Sequence, residues 1–358
     1  MLTNVLLKLF YAFLTLFGVV SLVFFLFNVL PGDPAQMMLG QNESQEQLAL
    51  VQKRYGFDLP VSKQYFLYLN DLSPLSLHST DQNDLSHFST KKYSAYPLIQ
   101  NSKYVLTLKW PYLRTSYQKR GKKVSTVIAE TFSNTVILAV ASISIAIILG
   151  ILFGIVATLL YNTWIDRWLQ FISTLGMSVP SFFSAILFSW FFGFLHHQYT
   201  GLNMSGSLYE MDDFGEGSVL QLKNLILPAV VLGIRPIAVI IQLMRSSLLE
   251  VLSQDYIKTA YSKGLSTFQV IFMHGVKNAL NPVVTVISGW FASLLAGAVF
   301  VEYIFGWKGM GKEMVTALNT LDIPVIIGIV LTLSSLFILI NLVVDFIYAK
   351  LDPQVQIQ

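Results

Sequence analysis

Gly306, Gly311 and Lys312 stand at the G-x-x-x-x-G-K spacing by which a glycine-rich loop cradles a nucleotide phosphate. That chemistry also needs a Ser or Thr next to the Lys for magnesium, and a strand-then-helix setting. Here Glu313 takes the Ser/Thr position and the segment lies between two apolar runs. Gly309 and Gly311 are therefore read as a tight turn. The five histidines are His78, His87, His196, His197 and His274. His196 and His197 are adjacent, so their side chains point apart, whereas a metal site draws spaced ligands from several elements. The absence of cysteine removes thiolate chemistry, disulfides and Cys-containing metal sites. No Ser, His and Asp spacing singles out a hydrolytic triad. The expectation is no catalytic residue, no metal and no cofactor bound by this chain.

Charge inside an apolar run is the other informative chemistry. Arg235 lies about seven residues past Pro228, roughly 10 Å along a helix, and Pro236 follows it. Two readings stay open. The guanidinium snorkels or pairs with a carboxylate of a neighbouring span, or it lines a translocation path and faces substrate carboxylates. Pro180, flanked by Ser178 and Ser181, should kink its run and is a further candidate for that path. Glu302 and Asp345 fall near run ends and read as boundary residues.

The elements that must hold these residues are membrane helices. Only 12% of the 358 residues are charged, half the roughly 25% of a soluble domain, and mean hydropathy is +0.60. The net charge of +3 gives no reason to expect nucleic acid. Six runs approach the roughly 20 apolar residues that cross a bilayer: Leu9–Leu30, Thr131–Leu160, Trp168–Leu195, Leu225–Met244, Val283–Val301 and Ile323–Tyr348. The first is too long for a signal-peptide core and lacks a small-residue cleavage site, so it reads as an uncleaved span. Gly150 and Gly154 have the spacing that lets helices approach closely. The connection Gly32–Glu130 is too long to be bare loop. Gln45–Lys53 and Pro60–Leu69 have helical character and Asn70–Ser94 reads as irregular. The expected fold is an all-α polytopic membrane protein with a small mixed external subdomain between spans one and two.

Between the fourth and fifth runs lies the polar stretch Ser253–Pro282. Ser253 is placed to cap a first helix and Gly264 to end it in a left-handed turn. Ser266 with Gln269 makes a capping box for a second helix, on which Phe268, Ile271, Phe272 and Val276 recur at helical spacing. Pro282 then restarts the apolar run. Tyr256, Ile257, Ala260 and Phe268 would be exposed, with Ala260 and Gly264 small enough for a partner to approach. Short helices are marginal alone in water, so the stretch reads as a docking knob or, more plainly, a capped connector.

This stretch resembles the EAA loop of ABC-transporter permeases, in the version carried by the B-type permease subunit of dipeptide/oligopeptide importers. Tyr256, Thr259, Ala260, Lys263, Gly264, His274, Asn278, Ala279, Leu280 and Pro282 fit that version. The likeness extends over nearly the whole chain. It includes Pro31–Pro34, Tyr55–Tyr65, the pair Asn134 and Thr135, Arg245–Leu249, Gly297–Phe305 with Trp307, Gly309 and Gly311, and Leu351–Pro353. The part that finds no match, roughly residues 72–118, looks like an insertion.

The resemblance implies a six-span permease of the type I ABC importer kind. It comprises an N-terminal helix (1–30), an external connection (31–130) and a five-helix core (131–358) with an ATPase-docking loop at 250–282. Asp255, Tyr256, Thr259, Ala260, Lys263, Gly264, Phe268, His274 and Asn278 would dock the ATPase. The implied partners are a homologous second permease subunit, one or two cytoplasmic ATPase subunits that use ATP and magnesium, an external substrate-binding protein and a peptide substrate. The docking loop and both termini would then be cytoplasmic, in a bacterial inner membrane. The basic run Lys119–Lys123 argues for the opposite orientation, but long loops weigh little in that rule. Nickel, glutathione or oligosaccharide cargo is the nearer alternative. A stand-alone secondary transporter or channel is the distant one, for which the runs lack carboxylates.

Overall fold

The computed structural model describes residues 2–29, 33–39, 44–90, 92–119, 121–212 and 217–351. Leu30, Pro31, Gly32, Arg120, Asp352 and Pro353, which the sequence reading spans, lie outside the described residues. The elements in order are α1 (Leu2–Val29), α2 (Pro34–Leu39), α3 (Gln45–Tyr55), α4 (Val61–Leu72), β1 (Leu75–Ser79), β2 (Ala95–Gln100), β3 (Tyr104–Lys109) and α5 (Val124–Leu159). Then come α6 (Trp164–Ser178), α7 (Ser181–Phe188) with a π-helical extension Ser189–Leu195, α8 (His197–Thr200), β4 (Tyr209–Met211), β5 (Ser218–Leu220) and α9 (Lys223–Leu252). The rest is α10 (Asp255–Ser262), α11 (Thr267–Gln269) with a π-helical stretch Val270–Val276, α12 (Lys277–Gly297), α13 (Val299–Ile304), α14 (Met310–Asn319) and α15 (Ile323–Leu351).

Among the described residues, five helical stretches are long and apolar enough to cross a membrane: Phe10–Asn28, Val124–Leu159, Lys223–Leu252, Thr267–Leu295 and Ile323–Val344. The pair α6–α7 makes a sixth if taken as one crossing, but it bends by 108°. The third expected span is therefore broken, not kinked. Pro180 disfavours helical backbone at Val179, which sits extended at ψ 130°.

Two compact units divide the chain. One comprises Leu2–Glu130 and Met314–Thr332; the other comprises Thr131–Glu313 and the segment from Leu333 onward. In the first unit, Ser44 and Gln47 form a capping box that starts α3, and Gly56 ends it in a left-handed turn. Of the antiparallel sheet of order β1–β3–β2, only β1 falls in the stretch Asn70–Ser94 expected to be irregular; β2 and β3 follow it. The Asp322 carboxylate accepts from the Ser116 hydroxyl and the Tyr117 amide, which ties the end of the connection to the start of α15. Within the basic run, Lys122 pairs with Glu130 at 2.5 Å.

In the second unit, α5, α9 and α12 share one apolar core that includes Leu138, Ile240, Met244, Leu248 and Val283. The Gly150–Gly154 spacing works as expected within the protein. A Cβ on Gly154 would stand 2.6 Å from the Met244 Cβ, and one on Gly150 would stand 2.6 Å from the Ile240 Cγ2. Pro228 and Pro236 lie inside α9, which begins at Lys223, so Arg235 is about 18 Å from the start of its helix and about 10 Å past Pro228.

Candidate functional site

The polar stretch folds as two short helices whose caps decide their geometry. Ser253 does not cap α10. It ends α9, donating to the Glu250 carbonyl at 2.7 Å, while Gln254 begins α10 with no side-chain bond. Gly264 follows α10 at φ 80°, in the left-handed region that favours glycine, with no heavy atom within 4 Å of where a Cβ would be. Ser266 and Gln269 close the expected capping box: the Gln269 amide donates to the Ser266 hydroxyl, and the Gln269 side chain accepts from the Ser266 amide at 3.0 Å.

From Thr267 the chain stays helical without interruption to Leu295, through the π-helical stretch. The apolar run restarts at Pro282 as read, but no new helix begins there. Pro282 is absorbed inside α12, which runs straight out of the polar stretch. A π insertion of this kind is uncommon and recurs at functional sites. It carries His274 in its last turn and buries Val270, Ile271 and Gly275.

The side chains divide into two sets. Ile257, Ala260 and Val270 form a small separate core with Leu252 and Leu265 against it. Ile257 and Ala260 are thus turned inward, contrary to the exposure expected for them, and Ala260 offers no surface for a partner. Tyr256, Tyr261, Phe268, Phe272 and Met273 are the exposed apolar set. The Phe268 and Phe272 rings lie 4.5 Å apart. Asp255 pairs with Lys258 at 2.8 Å, both exposed, and the Thr259 hydroxyl donates to the Asp255 carbonyl at 3.1 Å. Lys263 is exposed. The Asn278 amide donates to the Tyr256 hydroxyl at 3.0 Å and to the His274 carbonyl at 3.1 Å.

Sequence reasoning did not find the ion pair that holds the base of this stretch. Arg245, near the end of α9, grips Asp166 in the first turn of α6 through two bonds of 2.6 and 2.7 Å. Asp166 is buried, and the guanidinium also lies 5.2 Å from the Tyr161 ring centre. The available signal was a lone acid opening one span and a lone Arg closing another.

The residues read as a possible path are only partly brought together. Arg235 and Ser181 line a cavity of about 90 Å³ with Gly176, Val179 and Trp290. Ser178 and Pro180 are exposed and do not line it; the Ser178 hydroxyl is spent on the Thr174 carbonyl. Among the described residues no acid pairs with Arg235, so the pairing alternative finds no partner there.

Glu302 is more than a boundary residue. It is fully buried, and its Oε2 accepts from the Gly311 and Lys312 amides at 2.7 and 3.3 Å, which open α14. Burial pushes its carboxyl up to about 7, against the pull of those two amides. Around it, Trp307 Nε1 donates to the Asn134 carbonyl, Asn134 Nδ2 to the Lys308 carbonyl, and the Met310 amide to the Thr135 hydroxyl. The amides that the nucleotide-like spacing would aim at a phosphate are thus already bonded to a carboxylate. His196 and His197 face separate carbonyls, those of Phe191 and Leu202.

The comparisons with known proteins give the family. Residues 146–357 match the family described as binding-protein-dependent transport system inner membrane component, and residues 1–83 match its N-terminal companion. The dipeptide transport system permease protein DppB of Alkalihalophilus pseudofirmus is 32% identical, over 95% of each chain. The di/tripeptide transport system permease protein DppB of Pseudomonas aeruginosa is 33% identical, over 96% of each. The glutathione transport system permease protein GsiC of Salmonella typhimurium is also 33% identical, over 96% of this chain and 95% of its own. Among solved structures, a chain of the inward-facing MetNI methionine ABC transporter shares the fold, with TM-score 0.50 and 14% identity, over 64% of this chain and 97% of its own. The chain therefore belongs to the binding-protein-dependent transport system inner membrane components, as an ABC-transporter permease of the dipeptide/oligopeptide importer family.

Proposed function

We propose that the chain is the B-type transmembrane subunit of an ATP-driven importer for di- and oligopeptides, and that it hydrolyses no ATP itself. The observation that carries the reading is the unbroken helix Thr267–Leu295, which joins a capped, exposed docking segment directly to a membrane span. Tyr256, Phe268, Phe272 and Met273 would insert in a groove of a cytoplasmic ATPase, in the helix-in-groove mode. Closure of the ATPases on ATP and magnesium would then move α10 to α12 as one lever. The spans would rock between inward- and outward-open states. A homologous second permease subunit would supply the other half of the pathway, and an external binding protein would deliver the peptide. On this reading the docking segment and both termini are cytoplasmic, and the membrane is the bacterial inner membrane.

Gly264→Trp tests the coupling. A side chain at Gly264 meets open space but strains the left-handed backbone at φ 80°, a local cost at the end of α10, so the protein should still insert and assemble, while the indole obstructs the docked partner. Expected is intact complex with ATP-driven peptide uptake lost. Wild-type uptake in that variant would remove the segment from the coupling path.

Glutathione permeases stand at the same identity as the dipeptide permeases, which favours a second cargo reading. Competition for uptake between labelled dipeptide and glutathione in one reconstituted importer decides between them.

A further inference from the structure

The connecting subdomain contains a cationic cavity that the coupling scheme does not use. Asp71 and Arg114 form its floor: Arg114 Nε donates to Asp71 Oδ2 at 2.8 Å, and the Tyr93 hydroxyl donates to Asp71 Oδ1 at 3.0 Å. The Asp71 carbonyl is taken as well, by the Lys109 ammonium and the Tyr112 amide. With Asp71 so occupied, a single carboxylate answers several cations. The cavity above it encloses about 330 Å³ and is lined by Arg54, Lys92, Arg114, Asp71 and the rings of Tyr55 and Tyr117, three cations to one acid.

Arg114 is held for a purpose that pairing with Asp71 alone does not require. Its backbone sits at φ 64°, a left-handed conformation that a non-glycine residue adopts at a cost. Its guanidinium lies 4.8 Å from the Tyr68 ring centre, so the plane is fixed on one side. Only Nε is bonded to the Asp71 carboxylate. The terminal nitrogens also hydrogen-bond the Tyr117 phenol, and their remaining hydrogens are left for the cavities that Arg114 lines. A guanidinium fork matches a carboxylate or phosphate in two parallel bonds. Among the described residues no acid pairs with Arg54, and Lys92 reaches only the Leu85 carbonyl at 3.3 Å and the faces of Tyr93 and Tyr112. The volume falls in the range of small-ligand sites, roughly 300–1,000 Å³.

We propose that this cavity is an anion-binding site for the free carboxylate of a short peptide, with Arg114 as the fork, Arg54 and Lys92 as flanking charges and Tyr55 and Tyr117 as the walls. The choice of a peptide as the bearer of the carboxylate rests on the importer reading above.

The test uses the full chain with its partner subunits in nanodiscs, without binding protein. The probes are Ala-Phe, Ala-Phe amide and inorganic phosphate, with binding read by calorimetry. Expected is saturable binding of Ala-Phe, weakened about tenfold or more by amidation and by Arg114→Lys, and severalfold by Arg54→Gln, since charge-assisted bonds are the strong ones. Displacement of Ala-Phe by phosphate supports the shared anion chemistry. Phosphate binding without Ala-Phe binding overturns the carboxylate assignment. Arg54 is exposed and its guanidinium makes no ion pair among the described residues, so its variant keeps the fold even if Arg114→Lys does not. Equal binding of acid and amide, or Ala-Phe binding unchanged in Arg54→Gln, overturns the site. A complex whose ATPase responds to loaded binding protein but binds no Ala-Phe also overturns the site and leaves the importer reading standing.

Discussion

The Asn278 amide donates to the Tyr256 hydroxyl at 3.0 Å, and that bond ties α10 to the helix that continues into the membrane. Both residues are exposed, so the bond should contribute only about 1 kcal/mol to stability. On the proposed coupling, the bond would make α10 and α12 move together. Tyr256→Phe should leave expression and assembly unchanged and lower uptake per ATP hydrolysed. Measuring both rates on one reconstituted sample checks this; a parallel fall in uptake and hydrolysis would count against a coupling role.

Gly154 brings α5 against α9 where Met244 crosses it. Gly154→Leu should force the helices apart, because the obstacle is the Met244 Cβ, at the root of its side chain, and not a flexible tip. Overpacking of this kind typically costs about 1–3 kcal/mol. The expected result is a clear drop in melting temperature. Partial recovery in the double variant Gly154→Leu, Met244→Gly, judged against Met244→Gly alone, would place the defect at this contact, because only glycine removes the obstructing Cβ, and no recovery would place it elsewhere.

Much of the polar stretch Ser253–Pro282 was legible because its signals are local. The Ser266–Gln269 capping box and the Gly264 turn each depend on residues within a few positions. The spans were legible because apolar length is a property of composition. Other features were not. The break at Pro180 and the uninterrupted passage through Pro282 involve the same residue type with opposite outcomes. The first proline has extended backbone before it, whereas the second is absorbed into a helix already under way. Exposure was misjudged at Ile257 and Ala260 because the π-helical stretch brings Val270 back over them. The Asp166–Arg245 pair spans 79 positions and leaves no periodic trace.

Asp166→Asn tests that pair. Removing one partner leaves Arg245 partly buried with its charge unanswered, which typically costs about 3–5 kcal/mol when a buried pair is broken. Asp166→Asn should lower the yield of folded protein. Arg245→Lys should be milder, since it keeps the charge but loses the paired geometry. Thermal unfolding of the purified chain ranks the two. A Lys variant as unstable as the Asn variant would show that geometry, and not charge, dominates.

Glu302 predicts a pH dependence with a definite sign. Burial raises its carboxyl from an ordinary 4.5 to about 7, so between those values the folded protein holds a proton that the unfolded chain releases. The contribution of Glu302 to stability is therefore full below about 4.5, declines as pH rises through about 7, and is flat above. Glu302→Gln, which cannot ionise, should remove this slope. The comparison to make is the melting temperature of wild type minus that of Glu302→Gln, measured from about 4.5 to just above about 7. The difference should fall as pH rises. A difference that grows with pH would mean that the Gly311 and Lys312 amides outweigh burial, and that the cap on α14 works best when charged.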